Sequence, residues 1–269
     1  MVTSLKSAVQ TKARVVPLPV SLRHLPVAHR AYHARDARRP ENSRAAMQAA
    51  MDAGYAIEMD VQLSRDGVAM VFHDEELDRL TEAHGLLADR TAAELATIIL
   101  RDSDEGIPTL AEVLDLVAGR VPLLIELKDQ TMVMGETDAR LERAVADVLA
   151  GYAGDVALMS FNPHCMAHMA EFAPHIARGI TTSSYDPAEW APVPAAACDR
   201  LRDIPDYDRV GASFISHQGD DLTRPRVAEL KVQGAAILCW TIRSQAEEDQ
   251  VRRIADNVTF ELYAATIPA

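Results

Sequence analysis

Acidic side chains and a histidine alternate with apolar residues in the segment 57–74 (IEMDVQLSRDGVAMVFHD). An Asp-Gly pair at 66–67 is typical of a two-residue turn between antiparallel strands. In the register that such a turn sets, Asp60 pairs with His73. Because side chains alternate along a strand, Glu58, Asp60 and His73 are expected on one face of a β-hairpin. A hairpin at the edge of a sheet with a solvated polar face is the alternative interpretation.

A further carboxylate ends the apolar segment 122–128 (PLLIELK), where Glu126 lies two residues before Lys128 and shares its face of the predicted strand. Three carboxylates that face one cavity, Glu58, Asp60 and Glu126, repel one another strongly unless a cation neutralises them. An all-oxygen set of ligands suits a hard ion rather than zinc. These acidic residues are therefore expected to bind one divalent cation, Mg²⁺ or Ca²⁺.

Basic side chains and histidines accompany these acids. Arg30 and Lys128 add fixed positive charge, which holds a phosphate group through charge-assisted hydrogen bonds. His29 and His73 supply a proton acceptor and a proton donor, because imidazole titrates near neutral pH and serves in either role. A metal ion, basic side chains, an acid and a base together indicate cleavage of a small-molecule phosphodiester.

The elements that must position these residues alternate between strands and helices along the chain. Capping boxes at 91–94 and 109–112 mark two helix starts, and another helix is predicted at 44–53. With the hairpin counted once, eight strand-like segments are separated by helix-like ones. Over about 250 residues this pattern predicts an α/β fold, a (β/α)8 TIM barrel with a β-hairpin extension after strand 2. Functional groups lie at the carboxyl ends of the strands in such barrels, where Trp240 also falls.

One barrel domain is predicted for residues 23–269, preceded by an amino-terminal arm at 1–22. The hydrophobic content of 48% is sufficient for one sizeable core. An open, doubly wound sheet is the alternative fold. No glycine-rich GxGxxG turn follows a predicted strand, so a dinucleotide site is not expected.

Charge and composition exclude several classes of protein. The 269 residues carry a net charge of -13, which argues against a nucleic-acid-binding protein, because such affinity depends on a basic face. Three widely spaced cysteines without a CxxC suggest neither a disulfide framework nor a zinc site. Without a run of about 18 apolar residues or an apolar core in residues 1–20, neither membrane insertion nor a signal peptide is expected. A cytoplasmic protein is predicted, with no indication of its oligomeric state.

Several short motifs together resemble the glycerophosphodiester phosphodiesterase family, over nearly all of residues 25–262. They are AHR at 28–30, PENS at 40–43, ExD at 58–60, DGVxxVFHDxxLDRLT at 66–81, IPTLxEVL at 107–114, IELK at 125–128 and WT at 240–241. The resemblance implies a barrel enzyme that hydrolyses glycerophosphodiesters to glycerol 3-phosphate and an alcohol with a divalent cation. In this family the glycerol hydroxyl is thought to attack first, giving a cyclic phosphate that water then opens.

The resemblance also implies a role for each matching residue. These roles are an acid–base pair at His29 and His73, metal ligands at Glu58, Asp60 and Glu126, and phosphate contacts at Arg30 and Lys128. Trp240, near the end of its predicted strand, is expected either to stack against the alcohol part of the substrate or to pack at the barrel rim. His217 ends another predicted strand and is a weaker candidate to face the cavity.

Two positions depart from the family pattern. Ala31 stands where the family's first motif has glycine, and Leu262 stands where relatives have glycine near the end of the match. Alanine resists backbone angles that glycine permits. Strict alternation also places Arg30 on the face opposite His29, so Arg30 reaches the site if the strand ends or twists there. Glu41 is expected either to orient Arg30 or to favour the start of the next helix.

Three alternative functions remain open at this stage. One is a phospholipase D activity on lysophospholipids, favoured by a broad and apolar rim. Another is a metal-dependent isomerase or aldolase acting on a sugar phosphate, with Lys128 as an electrophile or Schiff-base residue. The third is a barrel that binds a phosphorylated metabolite without turning it over.

Overall fold

The computed structural model describes residues 13–268. Its strands are β1 (Val27–Ala28), β2 (Ala56–Leu63), β3 (Ala69–Val71), β4 (Leu123–Leu127), β5 (Val156–Ser160), β6 (Ala177–Thr182), β7 (Phe214–Gln218), β8 (Ala236–Ile242) and β9 (Asn257–Phe260). Its helices are α1 (Val20–His24), α2 (Arg44–Ala53), α3 (Ala92–Leu95), α4 (Leu110–Val117), α5 (Arg140–Leu149), α6 (Pro163–Phe172), α7 (Ala195–Arg202), α8 (Pro225–Val232) and α9 (Gln245–Val251).

Eight parallel strands close into a barrel, and β3 extends the sheet beside β2. The strand order is β1-β9-β8-β7-β6-β5-β4-β2-β3, and β1 also pairs with β2, which closes the ring. Neighbouring barrel strands are parallel, whereas β3 pairs antiparallel with β2. The structure therefore confirms the predicted (β/α)8 barrel with a hairpin after strand 2.

Local capping signals start several helices where the sequence predicts. Helix α2 follows Ser43, whose hydroxyl accepts a hydrogen bond from the Ala46 amide at 3.1 Å, and it ends at Gly54 with φ 77°. Both predicted capping boxes are present, at the starts of α3 and α4. Helix α7 lies in a segment to which the sequence assigned no element, and it begins after Pro194 without a side-chain cap.

The hairpin loop is one residue longer than predicted. The Ser64 amide donates to the Val68 carbonyl at 3.0 Å, and the Gly67 amide donates to the Ser64 carbonyl at 3.0 Å. This is a three-residue loop that places Gly67 in the left-handed region at φ 86°. Asp66 inside the loop accepts from the Ser64 hydroxyl at 2.7 Å and from the Ala92 amide of α3 at 2.9 Å, which ties the loop to the following segment.

The longer loop shifts the strand register by one residue, and the predicted pairing of Asp60 with His73 is wrong. Val61 pairs with Val71, and the Phe72 amide donates to the Asp60 carbonyl at 3.0 Å. A shift of one residue turns the side chains of the returning strand to the opposite face, so Phe72 is buried in a separate apolar cluster. His73 nevertheless lines the same cavity as Asp60, because it follows the end of β3 and is free of the strand's alternation.

Side chains two apart along the barrel strands fill the interior in layers. The layer at the amino ends is apolar and consists of Val27, Ala56, Leu124, Ala157, Ala177, Phe214 and Ala236. Leu18 and Leu22 pack against it and close this end of the barrel. Gly179 leaves room for Phe214, because a Cβ atom at 179 would lie 2.3 Å from the Phe214 ring. The charged residues lie in the layers nearer the carboxyl ends.

The structure describes the amino-terminal part of the chain from residue 13 onward. Residues 1–12 of the predicted arm lie outside the described residues, and the boundary between residues 22 and 23 stays a prediction. Arg14 is held where it enters the fold, because the buried Arg178 guanidinium donates to its carbonyl at 2.6 Å. Within residues 13–268, no helix combines the length and the apolar character that crossing a membrane requires.

Gly179→Ala is expected to lower the free energy of unfolding by about 1–3 kcal/mol, because the added methyl group overpacks the interior at the Phe214 ring. Urea denaturation would measure the difference. Gly151→Ala is the matched control, since no atom lies within 4 Å of the added Cβ atom there. Equal unfolding free energies for the two variants would contradict the close packing at Gly179.

Candidate active site

Three buried carboxylates meet at the carboxyl ends of two neighbouring strands. Glu58 and Asp60 lie on β2 and Glu126 lies on β4, where Asp60 and Glu126 are partners in the parallel register. One oxygen atom from each carboxylate lies within 4.8 Å of the other two. The residues are 2%, 2% and 6% exposed, respectively. The strands of the barrel thus bring together the three acidic residues that the sequence predicts as metal ligands, in a cavity of about 170 Å³.

Two of these carboxylates are oriented by the segment that follows β1. The Arg30 backbone amide donates to Glu58 Oε2 at 2.7 Å. The Asn42 side-chain amide donates to Asp60 Oδ2 at 3.0 Å. Asn42 is buried and adopts a left-handed backbone with φ 59°. Because the contact between Asn42 and Asp60 crosses from a loop to a strand, the alternation of side chains along a strand does not predict it.

Basic side chains lie directly against the carboxylates. Lys128 Nζ lies 3.0 Å from Glu126 Oε1 and 3.6 Å from Asp60 Oδ1. Arg30 Nε lies 3.7 Å from Asp60 Oδ2. Both predicted phosphate-binding cations are therefore beside the acidic cluster. Two positive charges against three carboxylates leave the cluster under-compensated when all three are ionised.

The surroundings shift the pKa values of Glu58 and Asp60 in opposite directions. Burial, together with the charges of Asp60 and Glu126, raises the pKa of Glu58 well above its usual value. Burial also disfavours ionisation of Asp60, but the positive charges of His73 and Lys128 outweigh it and lower the pKa of Asp60. A divalent cation among these oxygens would remove the free-energy penalty for ionising Glu58. The donor set therefore fits a hard divalent cation.

Each of the two predicted catalytic histidines has its own carboxylate partner. His29 Nδ1 lies 2.7 Å from Glu261 Oε2, and His73 Nδ1 lies 2.6 Å from Asp74 Oδ1. A carboxylate accepts at this distance, so Nδ1 carries the proton and Nε2 remains the atom that can accept one. Burial lowers the pKa of His29 despite the opposing effect of Glu261. The sequence analysis assigns no role to either carboxylate, although Asp74 directly follows His73 and Glu261 directly follows β9.

A network of ion pairs connects Arg30, the predicted phosphate contact, to one of these histidines. Arg30 Nη1 donates to Glu41 Oε1 at 2.7 Å, which favours the first of the two roles expected for Glu41. Arg79 donates to Glu41 at 2.7 Å and to Asp74 at 2.6 Å. These contacts raise the pKa of Arg79 and keep the pKa of Asp74 below its usual value, although burial opposes ionisation of Asp74. Arg79 lies in the long connection after β3, so its position was not foreseen.

Both departures from the family glycines occur at left-handed backbone positions. Ala31 has φ 65° and Leu262 has φ 66°, and the preceding Arg30 has φ 50°. Each such angle costs a residue other than glycine about 1 kcal/mol. β1 ends at Ala28, and the left-handed turn that follows brings both the amide and the guanidinium of Arg30 to the carboxylates. Arg30 thus reaches the site despite lying on the opposite face in strict alternation.

The remaining sequence candidates differ in placement. Trp240 lines the small cavity, donates from Nε1 to the Ser216 carbonyl at 3.0 Å and packs edge-on against Phe161 with ring centroids 5.4 Å apart. This placement fits a packed rim residue, and stacking of Trp240 against the alcohol part of a substrate stays a prediction. His217 is fully buried, lies 3.2 Å from Asp221 and is absent from the described lining of the cavity.

A larger cleft of about 790 Å³ opens beside the small cavity and shares His29, Arg30 and Arg243 with it. Its lining combines polar and charged residues, such as His33, Asp36, Arg39, Glu41, Arg101 and Glu261, with apolar ones, such as Leu80 and Leu262. Arg243 was missed by the sequence analysis, and its Nε donates to Glu261 Oε1 at 2.8 Å. The cleft leaves room for a polar group attached to a phosphate in the small cavity.

Comparisons with known proteins show similarity to phosphodiesterases. A protein from Caldanaerobacter subterraneus subsp. tengcongensis named glycerophosphodiester phosphodiesterase is 33% identical over 149 residues, an alignment of 52% of this chain and 60% of that protein. A solved phosphodiesterase of Oleispira antarctica, in complex with the product sn-glycerol-3-phosphate, has a TM-score of 0.72 at 24% identity over 88% of this chain and 93% of that chain. A glycerophosphodiester phosphodiesterase from Agrobacterium tumefaciens has a TM-score of 0.62 at 26% identity over 87% of this chain and 94% of that chain.

The match to a family model is broader than the match to the curated relative. It covers residues 29–258 and concerns the glycerophosphoryl diester phosphodiesterase family. That range contains both predicted catalytic histidines, the acidic cluster and its basic neighbours. The chain belongs to the glycerophosphoryl diester phosphodiesterase family.

Proposed function

We propose that this protein hydrolyses glycerophosphodiesters to glycerol 3-phosphate and an alcohol with one divalent cation, Mg²⁺ or Ca²⁺. The observation that carries the proposal is the lining of the small cavity, where two histidines meet a buried cluster of three carboxylates and two basic side chains. A hydrogen bond to a carboxylate partner fixes the proton on Nδ1 of each histidine. Family membership supports the reaction class.

The chain's own residues provide distinct contributions to this reaction. A cation bound by Glu58, Asp60 and Glu126 would polarise a phosphate oxygen and neutralise the carboxylates. Arg30 and Lys128 donate hydrogen bonds to the remaining phosphate oxygens and stabilise the charge that develops there.

The histidines move the protons in this proposal. We assign proton acceptance from the attacking hydroxyl to His29, because its lowered pKa keeps Nε2 unprotonated near neutral pH. His73, in its doubly protonated form, donates its Nε2 proton to the oxygen of the departing alcohol, and the reverse proton transfers accompany the opening of the cyclic phosphate by water. Glu261 and Asp74 hold the two rings in orientations that expose Nε2.

Contacts at the site favour this function over the alternatives. The Lys128 ammonium is paired with Glu126 at 3.0 Å, and the pKa of Lys128 is raised despite burial, whereas a Schiff-base lysine needs a neutral amine. Arg39, Arg101 and Arg243 give the larger cleft a charged wall, which suits a polar alcohol better than an acyl chain. A barrel that only bound its ligand would have no need of two oriented histidines.

His29→Ala and His73→Ala are each expected to lower kcat for release of glycerol 3-phosphate from glycerophosphocholine by at least about 100-fold, because each removes a proton-transfer group. An enzyme-coupled assay of glycerol 3-phosphate with Mg²⁺ or Ca²⁺ would measure it. His84→Ala is the control, since His84 forms a similar pair with Asp78 at 2.5 Å at an exposed position. Wild-type rates in both cavity variants would refute the acid–base assignment.

Glu58→Gln is expected to change stability in opposite directions with and without metal. In EDTA the variant should unfold at a higher temperature, with a free energy of unfolding greater by on the order of 1 kcal/mol. The reason is the raised pKa of Glu58, which means that its ionised form destabilises the folded state at neutral pH. With excess Mg²⁺ or Ca²⁺ the wild type should gain more stability than the variant, because bound metal stabilises the fold by mass action.

Thermal unfolding followed by circular dichroism at pH 7 would measure both differences. Asp52→Asn, an exposed carboxylate of α2 that accepts from Gln48, is the control and should respond to neither EDTA nor metal. A wild type whose melting temperature is unaffected by either cation would refute the metal site.

A further inference from the structure

A second group of possible metal ligands lies outside the acidic cluster. His29, His33 and Glu261 each place one ligand atom within 4.8 Å of the others. His29 and His33 belong to the segment after β1, and Glu261 follows β9. Because β1 and β9 are parallel neighbours, their carboxyl ends bring the three side chains together at the wall of the larger cleft.

The imidazole of His33 lies against the Glu261 carboxylate at ion-pair distance, without a hydrogen bond to it. Its Nε2 atom is buried and, among the residues that the structure describes, has no hydrogen-bond partner. The nearest carboxylate atom is Glu261 Oε2 at 3.6 Å, which is beyond hydrogen-bond distance. Buried ring nitrogens are usually paired, so an unpaired one aimed at a carboxylate calls for an explanation. The backbone of His33 is held separately, by its amide and the Ala31 carbonyl at 2.9 Å.

One oxygen of the Glu261 carboxylate accepts a hydrogen bond from an arginine, and the other faces two histidines. Oε1 accepts from Arg243 at 2.8 Å. Oε2 faces both imidazoles, at 2.7 Å from His29 Nδ1 and 3.6 Å from His33 Nε2. Four-coordinate zinc with bonds of about 2.0–2.1 Å separates its ligand atoms by roughly 3.3 Å. The two observed separations from Glu261 Oε2 lie on either side of that value, and the three ligand atoms lie within 4.8 Å of one another, so side-chain rotations would bring them to the spacing of an ion.

We propose that His29, His33 and Glu261 form a second metal site that binds Zn²⁺ or a similar borderline ion. Two imidazole nitrogens and one carboxylate oxygen are a zinc set with a fourth position open to water, whereas the acidic cluster offers oxygen atoms alone and suits Mg²⁺ or Ca²⁺. The two sites are therefore selective for different ions. No cysteine contributes, which is why the cysteine spacing gave no sign of it.

Zinc at this site inhibits the proposed phosphodiesterase, and this consequence rests on the proposed function. A metal ion on His29 Nδ1 displaces the hydrogen bond to Glu261 and moves the ring proton to Nε2. The ring then has no free nitrogen to accept a proton from the attacking hydroxyl. Inhibition occurs while Mg²⁺ or Ca²⁺ still occupies the acidic cluster, so excess of either ion does not reverse it.

Equilibrium dialysis against Zn²⁺ with excess Mg²⁺ tests the site without an activity assay. Wild-type protein is expected to bind one Zn²⁺ ion that Mg²⁺ does not displace. His33→Gln is expected to weaken this binding at least about tenfold. Mutation of a residue that merely orients a metal ligand already lowers metal affinity by about that factor, and loss of a direct ligand lowers it at least as much. His84→Gln is the matched control and should bind zinc as the wild type does. Circular dichroism melts establish that both variants are folded.

Activity with glycerophosphocholine then separates the two proposals. Relative to its own zinc-free rate, His33→Gln should need at least about tenfold more Zn²⁺ for half-inhibition than the wild type does. Equal zinc binding by wild type and His33→Gln, or zinc inhibition that excess Mg²⁺ relieves in both, would overturn the second site. Zinc binding that depends on His33 in a protein without turnover would leave the site standing and refute the proposed function.

Discussion

The mutual repulsion of three buried carboxylates is the constraint on which the rest of the site depends. Their oxygens lie within 4.8 Å of one another, and at an effective dielectric constant of about 20 two unit charges at such a distance repel by roughly 3 kcal/mol. Arg30 and Lys128 offset part of this energy, and Arg30 is itself held by Glu41. The chain therefore folds around a charge imbalance that a bound cation relieves, and the same imbalance makes the cavity attractive to a metal ion.

The barrel tolerates this arrangement because its two ends differ. Apolar side chains such as Phe214 fill the interior at the amino ends of the strands, and Leu22 seals that end. Polar side chains occur at the opposite end, where the strands give way to loops. Stability thus comes from this apolar layer and from the apolar contacts between strands and helices, and the strained, highly charged arrangement is confined to the carboxyl ends of the strands.

Alternation along strands is the part of the site that the sequence predicts well. It places Glu58, Asp60 and Glu126 together because the spacing of two residues is independent of what the loops do. The hairpin register is different: the Asp-Gly pair favours a two-residue turn, but Asp66 bonds to α3, which the local sequence does not indicate. Partners supplied by distant loops, such as Glu261 for His29, depend on how strand ends meet in space, so the sequence alone does not reveal them.

The backbone contact between Arg30 and Glu58 has a consequence for how the site can diverge among relatives. The amide that anchors the carboxylate belongs to the main chain, so it survives exchange of the arginine side chain. Substitution at position 30 can therefore change the charge presented to the cavity while the Glu58 carboxylate stays in place. Proline is the exception, because it lacks the amide hydrogen and cannot adopt the left-handed backbone found there. The charge presented to the cavity and the position of the Glu58 carboxylate are thus separable in evolution, although one residue contributes to both.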